Sequence, residues 1–460
     1  MAYQIRHAGG GMPIARRTAA TQTLVLVATC LGVLVAQIDT SVVNLATHAI
    51  GEAFRAGVAP LQWVLDAYNL VYATLLLSAG LVADIYGRRL AFAIGSIVMA
   101  AGSLACAFAP DIGVLVAARA LTGVGAALLL PSSLAIIRVV WPDEAARGRV
   151  LGIWASCNGL AFAIGPTLGG LLIEGFGWRS VFLVVVPLAA AAFALACAAV
   201  PESADPQDRR LDLPGQALGM LALGGLAFAA IGSHEGGAGW IVGLVLAVPA
   251  LPLFLRAERR RGRAGLVPLE LFRTPAFSGA IAATAAMTFG MYGLILLLPL
   301  VWQHDGHLSA HAAGLALMPV SLVFFVVSTQ SGRLAQRIGR RAMTAGGTAL
   351  IGGGLLIVAA AHGGSPMWLA QCGLVLAGLG MGLNTGPLFG IAVGTVPRER
   401  SGTASALINV ARMTGATLGV ALLGAVFALF HDTAAGLSAA LLIGGIAQLC
   451  GAAVAFTTVR

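Results

Sequence analysis

The sequence predicts an all-α integral membrane protein with fourteen transmembrane helices. Hydrophobic residues make up 58% of the 460 residues, charged residues only 10%, and the mean hydropathy is +0.92. A soluble chain of this length has too little interior to bury so much apolar side chain. Each apolar stretch is near the ~20 residues that a helix needs to cross a bilayer, and unbroken apolar runs exclude the alternating strands of a membrane β-barrel.

Short connections separate the predicted spans. The spans cover residues 22–50, 60–83, 90–109, 112–137, 147–173, 178–200, 214–233, 239–256, 275–300, 311–332, 342–361, 366–392, 402–428 and 435–457. The first 21 residues carry Arg but no cleavage-site pattern, so span 1 is interpreted as a retained first helix rather than a signal peptide.

The distribution of arginine predicts the orientation of the chain. All 27 basic residues are Arg, and 23 of them fall in the N-terminal tail, the even-numbered loops or the C-terminus. By the positive-inside rule both termini are cytoplasmic. The net charge of +9 therefore reflects topology and attraction to the anionic inner leaflet. A nucleic-acid partner is disfavoured, because the Arg-rich run 259–263 has no folded or aromatic surroundings.

The chain repeats itself at an offset of about 250 residues. Gly80–Arg89, which follows span 2, aligns without a gap with Gly332–Arg341, which follows span 10, and Gly165–Gly170 in span 5 aligns with Gly415–Val420 in span 13. This predicts a cytoplasmic tail at 1–21, a six-helix bundle at 22–200, two extra helices with an Arg-rich cytoplasmic loop at 201–274, and a second six-helix bundle at 275–460. Two like-oriented halves place a site between them and permit alternating access.

Seven motifs on these spans carry a family resemblance. They are Gly80-x-x-x-Asp84-x-x-Gly87-Arg88-Arg89, Leu115-x-x-x-Arg119-x-x-x-Gly123-x-Gly125, Gly165-Pro166-x-x-Gly169-Gly170, Asp39-Thr40-x-Val42-Val43-Asn44-x-Ala46, Trp63-Val64-x-Asp66-x-Tyr68-x-Leu70, Asp212-Leu213-Pro214-Gly215 and Asn409-x-x-Arg412-x-x-Gly415. In this order they resemble the 14-span drug:proton antiporters of the major facilitator superfamily.

The resemblance implies a major facilitator fold and proton-driven drug export. The sequence departs from the family's motifs at three positions. Ile85 stands where the family usually has a basic residue, Gln336 replaces the acid of the second loop copy, and His48 stands where the family usually ends its span 1 motif with Pro.

Two charged residues in the membrane are the candidates for proton coupling. Asp39 is the one acid that the span boundaries place well inside the membrane, where a charge costs about 2.5–3.5 kcal/mol. A carboxyl group there can hold a proton in one state and a cation in another, or it can be a structural group capped by the hydroxyls of Thr40 and Ser41. Arg119 has no counterpart in the second half. It can bias the protonation of a nearby acid or form a structural ion pair.

Further polar residues are candidates for substrate binding. Asp66 lies near the outer end of span 2, where it can attract cationic substrate or be an interfacial acid close to water. In the resembling family an acid here recurs in members that export divalent cations. Arg412 is expected to pair with carbonyl groups or Asn409. The predicted substrate contacts are Asp39, Asn44, Asp66, Tyr68, Asn409 and Arg412.

The motif loops and glycines are expected to gate the transport path. We expect Asp84 to lie at the N-terminus of a neighbouring span while Arg88 pairs across, forming a latch that favours the outward-open state. Gly87 is expected to take a positive φ. The predicted gating residues are Gly80, Asp84, Gly87, Arg88, Arg89, Gly165, Pro166, Gly169, Gly170, Gly332, Gly339 and Arg340.

The function that this pattern favours is a proton-coupled multidrug efflux antiporter in the inner or plasma membrane, which exports amphipathic, often cationic compounds. A dedicated exporter of a single antibiotic or metabolite is the alternative. No catalytic residues, metal or cofactor are expected, because the sequence has no phosphate-binding loop, C-x-x-C pair or paired nucleophile and base. The expected partners are the lipid bilayer, small-molecule substrates and protons. A periplasmic adaptor protein is a further candidate partner.

Overall fold

The computed structural model describes residues 19–204, 212–232, 239–262, 267, 269–304, 308–361, 367–396 and 401–459. The predicted tail lies outside this range except for its last three residues. The helices are α1 (Ala19–Phe54), α2 (Val58–Tyr86), α3 (Arg88–Ala107), α4 (Ile112–Val140), α5 (Glu144–Phe176), α6 (Ser180–Leu183), α7 (Val185–Ala199), α8 (Leu213–Gly232), α9 (Gly239–Arg261), α10 (Pro275–His304), α11 (Ala310–Ile338), α12 (Arg340–Ala360), α13 (Met367–Gly394), α14 (Ser401–Ala428) and α15 (Thr433–Thr458).

The prediction of an all-α membrane protein with fourteen spans is confirmed. Thirteen helical segments of the described chain are long and apolar enough to cross a bilayer, and the bent helix α2 is the fourteenth. The predicted boundaries are too short at several ends. The clearest case is α9, which continues from residue 256 to Arg261 because Ala, Glu and Arg favour the helix even outside the membrane.

Two spans are less regular than the sequence predicts. Span 6 divides into α6 and α7 at Val184, because Pro187 has no N–H to donate to the carbonyl of Leu183. Helix α2 bends by 54° between Leu76 and Ser78. Ser78 and Gly80 follow this bend, and small residues of this kind are common at helix kinks.

The internal repeat is visible in backbone geometry. Gly87 separates α2 from α3 with φ +119° and ψ 133°, and Gly339 separates α11 from α12 with φ +93° and ψ 144°. An L-residue with a side chain rarely adopts this conformation, so both copies of the loop require glycine. The positive φ predicted for Gly87 is confirmed, and the two loops are structural equivalents.

The two halves use equivalent helices for equivalent contacts. Helix α5 packs along α1 in the first half, and α14 packs along α10 in the second. The repeated glycines allow the close approach: a Cβ at Gly165 would overlap Ser41 of α1, and one at Gly415 would overlap Thr288 of α10. Between the halves, α5 packs against α11 and α2 packs against α14.

The two extra helices form a pair at the edge of the seam between α2 and α14. Helix α8 packs along α9 and also contacts both α2 and α14. Gln216 of α8 donates to the carbonyl of Thr74 and accepts from the hydroxyl of Ser78, both in α2. An ion pair between Asp212 and Arg261 joins the start of α8 to the end of α9. The predicted division of the chain at residues 200 and 274 remains a proposal.

The crossing of α3 and α4, which positions Arg119, depends on a small residue. A Cβ at Gly125 of α4 would lie 2.7 Å from the backbone nitrogen of Met99 in α3. We expect Gly125→Leu to lower the thermal stability of the detergent-solubilised protein by about 1–3 kcal/mol or more through overpacking. The matched control is Gly353→Leu on α12, where a Cβ meets nothing within 4 Å. Equal melting temperatures for the two variants would contradict this packing.

Candidate functional site

A fully buried ion pair lies inside the first half. Arg119 of α4 donates from Nη1 to Oδ2 of Asp39 in α1 over 2.5 Å, and the two side chains are 1% and 0% exposed. The sequence predicted both residues as coupling candidates but could not place them together. A paired carboxylate and guanidinium can remain charged in surroundings that would expel either group alone.

Helix α2 completes the surroundings of this pair. Arg119 also donates from Nε to the carbonyl of Val64 over 3.0 Å, and its guanidinium lies 4.6 Å from the centre of the Tyr68 ring. The Tyr68 hydroxyl donates to the carbonyl of Ala36 in α1. Since the hydroxyl of Thr40 donates to the same carbonyl, it does not cap Asp39 as the structural alternative supposed. Arg119 therefore connects α1, α2 and α4.

Asp66 is as fully buried as Asp39, which corrects one expectation. The side chain is 0% exposed, so it is not an interfacial acid in contact with water, although it lies in the first third of α2. Neither carboxyl oxygen has a hydrogen-bond partner among the described residues. The expectation failed because the first turns of α2 are covered by α14 and α8, which a count of residues from the span end cannot show.

Asn44 is the predicted substrate contact that lines a central cavity. Its Nδ2 donates to the carbonyl of Thr40, and its Oδ1 has no partner within the described structure. The cavity lies between the two halves. Its lining residues are Ser41, Asn44, Leu45, Pro166, Met291, Ile295, Leu317, Val320, Ser321, Phe324 and Met381. Most are apolar, so the cavity suits an apolar part of a small molecule.

Arg412 differs from its expected arrangement. It does not pair with Asn409, whose Nδ2 donates to the carbonyl of Ser405, and its own Nε is buried without a partner among the described residues. Asn409 reaches back along its own helix to the carbonyl one turn earlier, so its Nδ2 is engaged within α14. Arg412 is half-buried, in the half of α14 that begins at Ser401.

The hydrogen bonds described between the two halves lie at one end of the bundle, opposite the Gly-Arg-Arg loops. Gln62 of α2 donates to the carbonyls of Val420 and Ala421 in α14, over 2.8 and 3.0 Å. Glu174 of α5 accepts from the backbone of His311 in α11, over 2.9 Å. We call this the closed end, and the end that carries the Gly-Arg-Arg loops the arginine-rich end.

The glycine–proline motif of α5 contributes to the closed end. A Cβ at Gly170 would lie 2.6 Å from Cα of His311, and Gly314 of α11 fits closely against the carbonyl of Pro166. Gly165 and Gly169 instead face α1, where they contact Ser41 and Val42. The motif therefore packs α5 against α1 of its own half and against α11 of the opposite half.

The loop at the arginine-rich end has a different arrangement from the predicted latch. Arg88, at the start of α3, pairs with Asp84, near the end of α2, from Nη2 to Oδ1 over 2.9 Å, so the pair joins two spans of the first half. Positive φ at Gly87 folds the chain so that these two groups meet. Arg89 pairs with Glu202, which follows α7, at 3.5 Å. These contacts hold the loop within the first half.

The second copy of the loop has more open surroundings. Gly332 and Arg340 are exposed, and a Cβ at Gly332 would meet nothing within 4 Å. Gly80 has only an ordinary contact with Pro131 of its own half. The predicted gating residues of the loops, as far as the structure describes them, are therefore not packed between the halves.

Sequence reasoning missed several residues of the site. Gln62 adjoins a motif, and a fully buried glutamine in an apolar span was a signal that could have found it. Ser321 and Tyr292 are polar residues within apolar spans and carry the same signal. Met291, Phe324 and Met381 carry none, because apolar side chains that line a cavity look like core. In the described part of the chain, no cluster of His, Cys, Asp or Glu could hold a metal ion.

Two six-helix groups that meet around a central cavity define a membrane transporter. Residues 29–420 match the family described as the Major Facilitator Superfamily, and the chain belongs to it. It is 38% identical to "Multidrug resistance protein Stp" of Mycobacterium tuberculosis, over 89% of this chain and 76% of that one. It is 30% identical to "Methylenomycin A resistance protein" of Streptomyces coelicolor, over 93% and 90%. A crystal structure of a D-xylose–proton symporter has the same fold, with a TM-score of 0.71 at 15% identity over 95% and 98%.

The buried pair leads to a prediction about stability. Removing one partner leaves the other charge buried alone, which costs about 3–5 kcal/mol. We expect Asp39→Asn and Arg119→Met each to lower the melting temperature, and the double variant to be more stable than Arg119→Met alone. The measurement is a thermal-unfolding cycle in detergent. Additive losses would show that the two side chains do not interact in the folded protein.

Proposed function

We propose that this protein is a proton-coupled multidrug efflux antiporter for amphipathic, often cationic compounds. The observation that carries the proposal is the sealed Asp39–Arg119 pair, because Asp39 lies on α1, the helix that also contributes residues to the cavity. The name of the relative Stp supports export of more than one drug. Membership in a family of transporters and the absence of a phosphate-binding loop from the sequence favour an ion gradient as the energy source.

Protonation of Asp39 is the proposed coupling step. A neutral Asp39 loses its charge attraction to Arg119, so contacts among α1, α2 and α4 change together. Helix α1 carries Ser41 and Asn44 into the cavity, and a shift of α1 alters the site where substrate binds. Asp39 itself is sealed from the cavity in this state, so the proton and the substrate communicate through α1. Each proton that enters contributes about 2.3 kcal/mol per 100 mV of membrane potential.

Alternating access requires the closed end to open. The bonds from Gln62 to α14 and from Glu174 to α11 then break, while the two Gly-Arg-Arg loops approach the opposite half. Asp84 and Arg88 would exchange their mutual pair for contacts across the seam, which makes the proposed latch of the outward-open state. Such rocking of two halves around a central site is the usual mechanism for this architecture.

The orientation is part of the same proposal. The arginine-rich end and both termini face the cytoplasm of the inner or plasma membrane, according to the positive-inside rule. In that orientation the closed end faces outward, so we propose that this conformation is the inward-facing state, in which the cavity receives substrate from the cytoplasm or the inner leaflet. Export of a single antibiotic is the second candidate, because one relative is named for resistance to methylenomycin A.

The deciding experiment is pH-dependent efflux. Inverted membrane vesicles would be incubated with a panel of cationic, neutral and acidic fluorescent compounds. Uptake of each compound would be measured while the pH gradient is imposed and after it is collapsed. Transport of several unrelated compounds that stops when the gradient collapses supports a multidrug antiporter. Transport of one compound alone supports the dedicated exporter. Transport that is indifferent to the gradient contradicts proton coupling.

Asp39→Asn tests the coupling step directly. We expect the variant to lose concentrative, proton-driven export because it lacks the titratable group, while exchange of internal for external substrate continues. The matched control is Asp111→Asn, because Asp111 caps α4 at the surface and asparagine caps a helix equally well. Normal concentrative export by Asp39→Asn at normal expression would remove Asp39 from the mechanism.

Asp66→Asn tests substrate charge. When the closed end opens, Asp66 is exposed to the exit path, where its charge can hold a second positive centre. We therefore expect this variant to lose export of divalent cations more than export of monovalent ones, measured as initial rates on a matched pair of compounds. An equal loss for both classes would indicate a role of Asp66 in gating rather than in substrate selection.

A further inference from the structure

The bend of α2 determines where the first Gly-Arg-Arg loop lies. Helix α2 turns by 54° between its segments Val58–Leu76 and Ser78–Tyr86. The second segment is about 13 Å long, so a turn of this size displaces its end by about 12 Å from the path of a straight helix. This segment carries the predicted gating residues Gly80 and Asp84. Whatever holds the bend therefore also positions the loop.

One side chain of α8 is bonded to α2 on both sides of this bend. Nε2 of Gln216 donates to the carbonyl of Thr74, before the bend, and Oε1 accepts from the hydroxyl of Ser78, after it. Thr74 and Ser78 are one turn apart, which is the spacing of a carbonyl and its amide donor in a regular helix. Helices kink where a side chain enters this ladder, and the carboxamide of Gln216 offers both a donor and an acceptor there.

The Asp-Leu-Pro-Gly motif at the start of α8 places Gln216 at the bend. Oδ1 of Asp212 accepts from the backbone nitrogen of Gly215 over 2.7 Å, and its carbonyl accepts from that of Gln216 over 2.9 Å. The ion pair with Arg261 of α9 holds Asp212 in turn. Pro214 suits the first turn, where a backbone N–H has no helical acceptor. The proposed transport steps use none of these residues, so the motif has a separate task.

The other contacts of α8 with α2 lie before the bend. A Cβ at Gly224 would lie 3.3 Å from Cδ2 of Leu70, and the ring of Phe228 is centred 5.9 Å from that of Trp63. These contacts are apolar and fix α8 along the first segment of α2. Gln216, in the first turn of α8, then joins that segment to the start of the next one.

A second hold on the loop is at the surface. Arg89 pairs with Glu202 at 3.5 Å, and the two side chains are 42% and 41% exposed. An ion pair this exposed contributes little to stability. The side chain of Gln216 is only 7% exposed, so water competes poorly for its two hydrogen bonds. The buried carboxamide is therefore the stronger of the two holds.

We propose that Gln216 is a positioning residue that holds α2 bent in this conformation. The loss of two hydrogen bonds shifts the equilibrium between bent and straight α2 by about tenfold or more. The consequence for transport rests on the proposed export function. There the Gly80–Arg89 loop meets the opposite half in the outward-open state, and release of the bend is a step of that change. The two extra helices thus act on the gate of the first half.

A distance across the bend tests the proposal. Pulsed electron spin resonance would measure it between labels at Gly57→Cys and Tyr86→Cys, in a full-length variant whose six native cysteines are replaced by alanine. A Cβ at Gly57 meets nothing within 4 Å, and Tyr86 is 62% exposed. Straightening of α2 lengthens this distance by about 4 Å. We expect Gln216→Leu to shift the distribution to the longer distance and Ser78→Ala, which removes one bond, to broaden it.

Gln448→Leu is the matched control. Gln448 of α15 is another buried glutamine, and its Nε2 donates to the carbonyls of Ala286 and Met287 in α10. Its loss weakens a helix contact of the same kind without changing the measured distance. An unchanged distribution in Gln216→Leu would overturn the proposal, and so would an equal change in Gln448→Leu. If Gln216→Leu does not fold, an unchanged distribution in Ser78→Ala would overturn it instead.

Transport in inverted vesicles provides the second readout. We expect Gln216→Leu to lower the maximal rate of proton-driven uptake at least about threefold. The substrate concentration for half-maximal uptake should change little, because Gln216 does not line the cavity. A longer distance with a normal rate would contradict the link to gating. If the distance changes but no compound moves with the proton gradient, proton-coupled export fails and the role of Gln216 in the bend stands. If uptake is proton-driven but the distance does not depend on Gln216, the positioning role fails and export stands.

Discussion

The Asp39–Arg119 ion pair is the constraint on which the first half depends. A carboxylate and a guanidinium with almost no exposed surface can stay charged only while they remain in contact, so three helices are held at a fixed distance. The small residues of α4 serve the same geometry, because they let the helix approach its neighbours closely enough to deliver the guanidinium. A bundle built in this way has an ionic connection at its centre rather than at its surface.

The second half has the same scaffold and different chemistry. The glycines that pack α5 on α1 recur in α14 on α10, and the two loop glycines share one backbone conformation. The buried pair does not recur, and Arg412 occupies a position on α14 where no described acid meets it. The repeat therefore preserves what packing requires, while each half contributes a separate polar element to the space between them.

The sequence predicted most of the fold and only part of the site. Span number, the repeat and the positive φ of Gly87 follow from hydropathy, alignment and the steric freedom of glycine, which are local properties. The burial of Asp66 does not follow from the sequence, because it depends on whether α14 and α8 cover the start of α2. The same limit applies to the partners of Arg412, Asp84 and Arg88. Their contacts depend on which helices are neighbours in the fold, and the sequence does not show this. The apolar lining of the cavity is indistinguishable from core until the halves are placed.

The two seams between the halves differ on their outer sides. Helix α8 covers the seam between α2 and α14, with Phe228 packed against Trp63 and Ala227 in a cluster with Ala421. Beside the seam between α5 and α11, apolar side chains such as Ile153, Leu160 and Leu322 are exposed towards lipid. In the described chain, the α2–α14 seam therefore has a further layer of protein outside it, whereas exposed apolar side chains border the α5–α11 seam. A compound dissolved in the bilayer would thus face an additional helix at the α2–α14 seam and exposed apolar side chains at the α5–α11 seam.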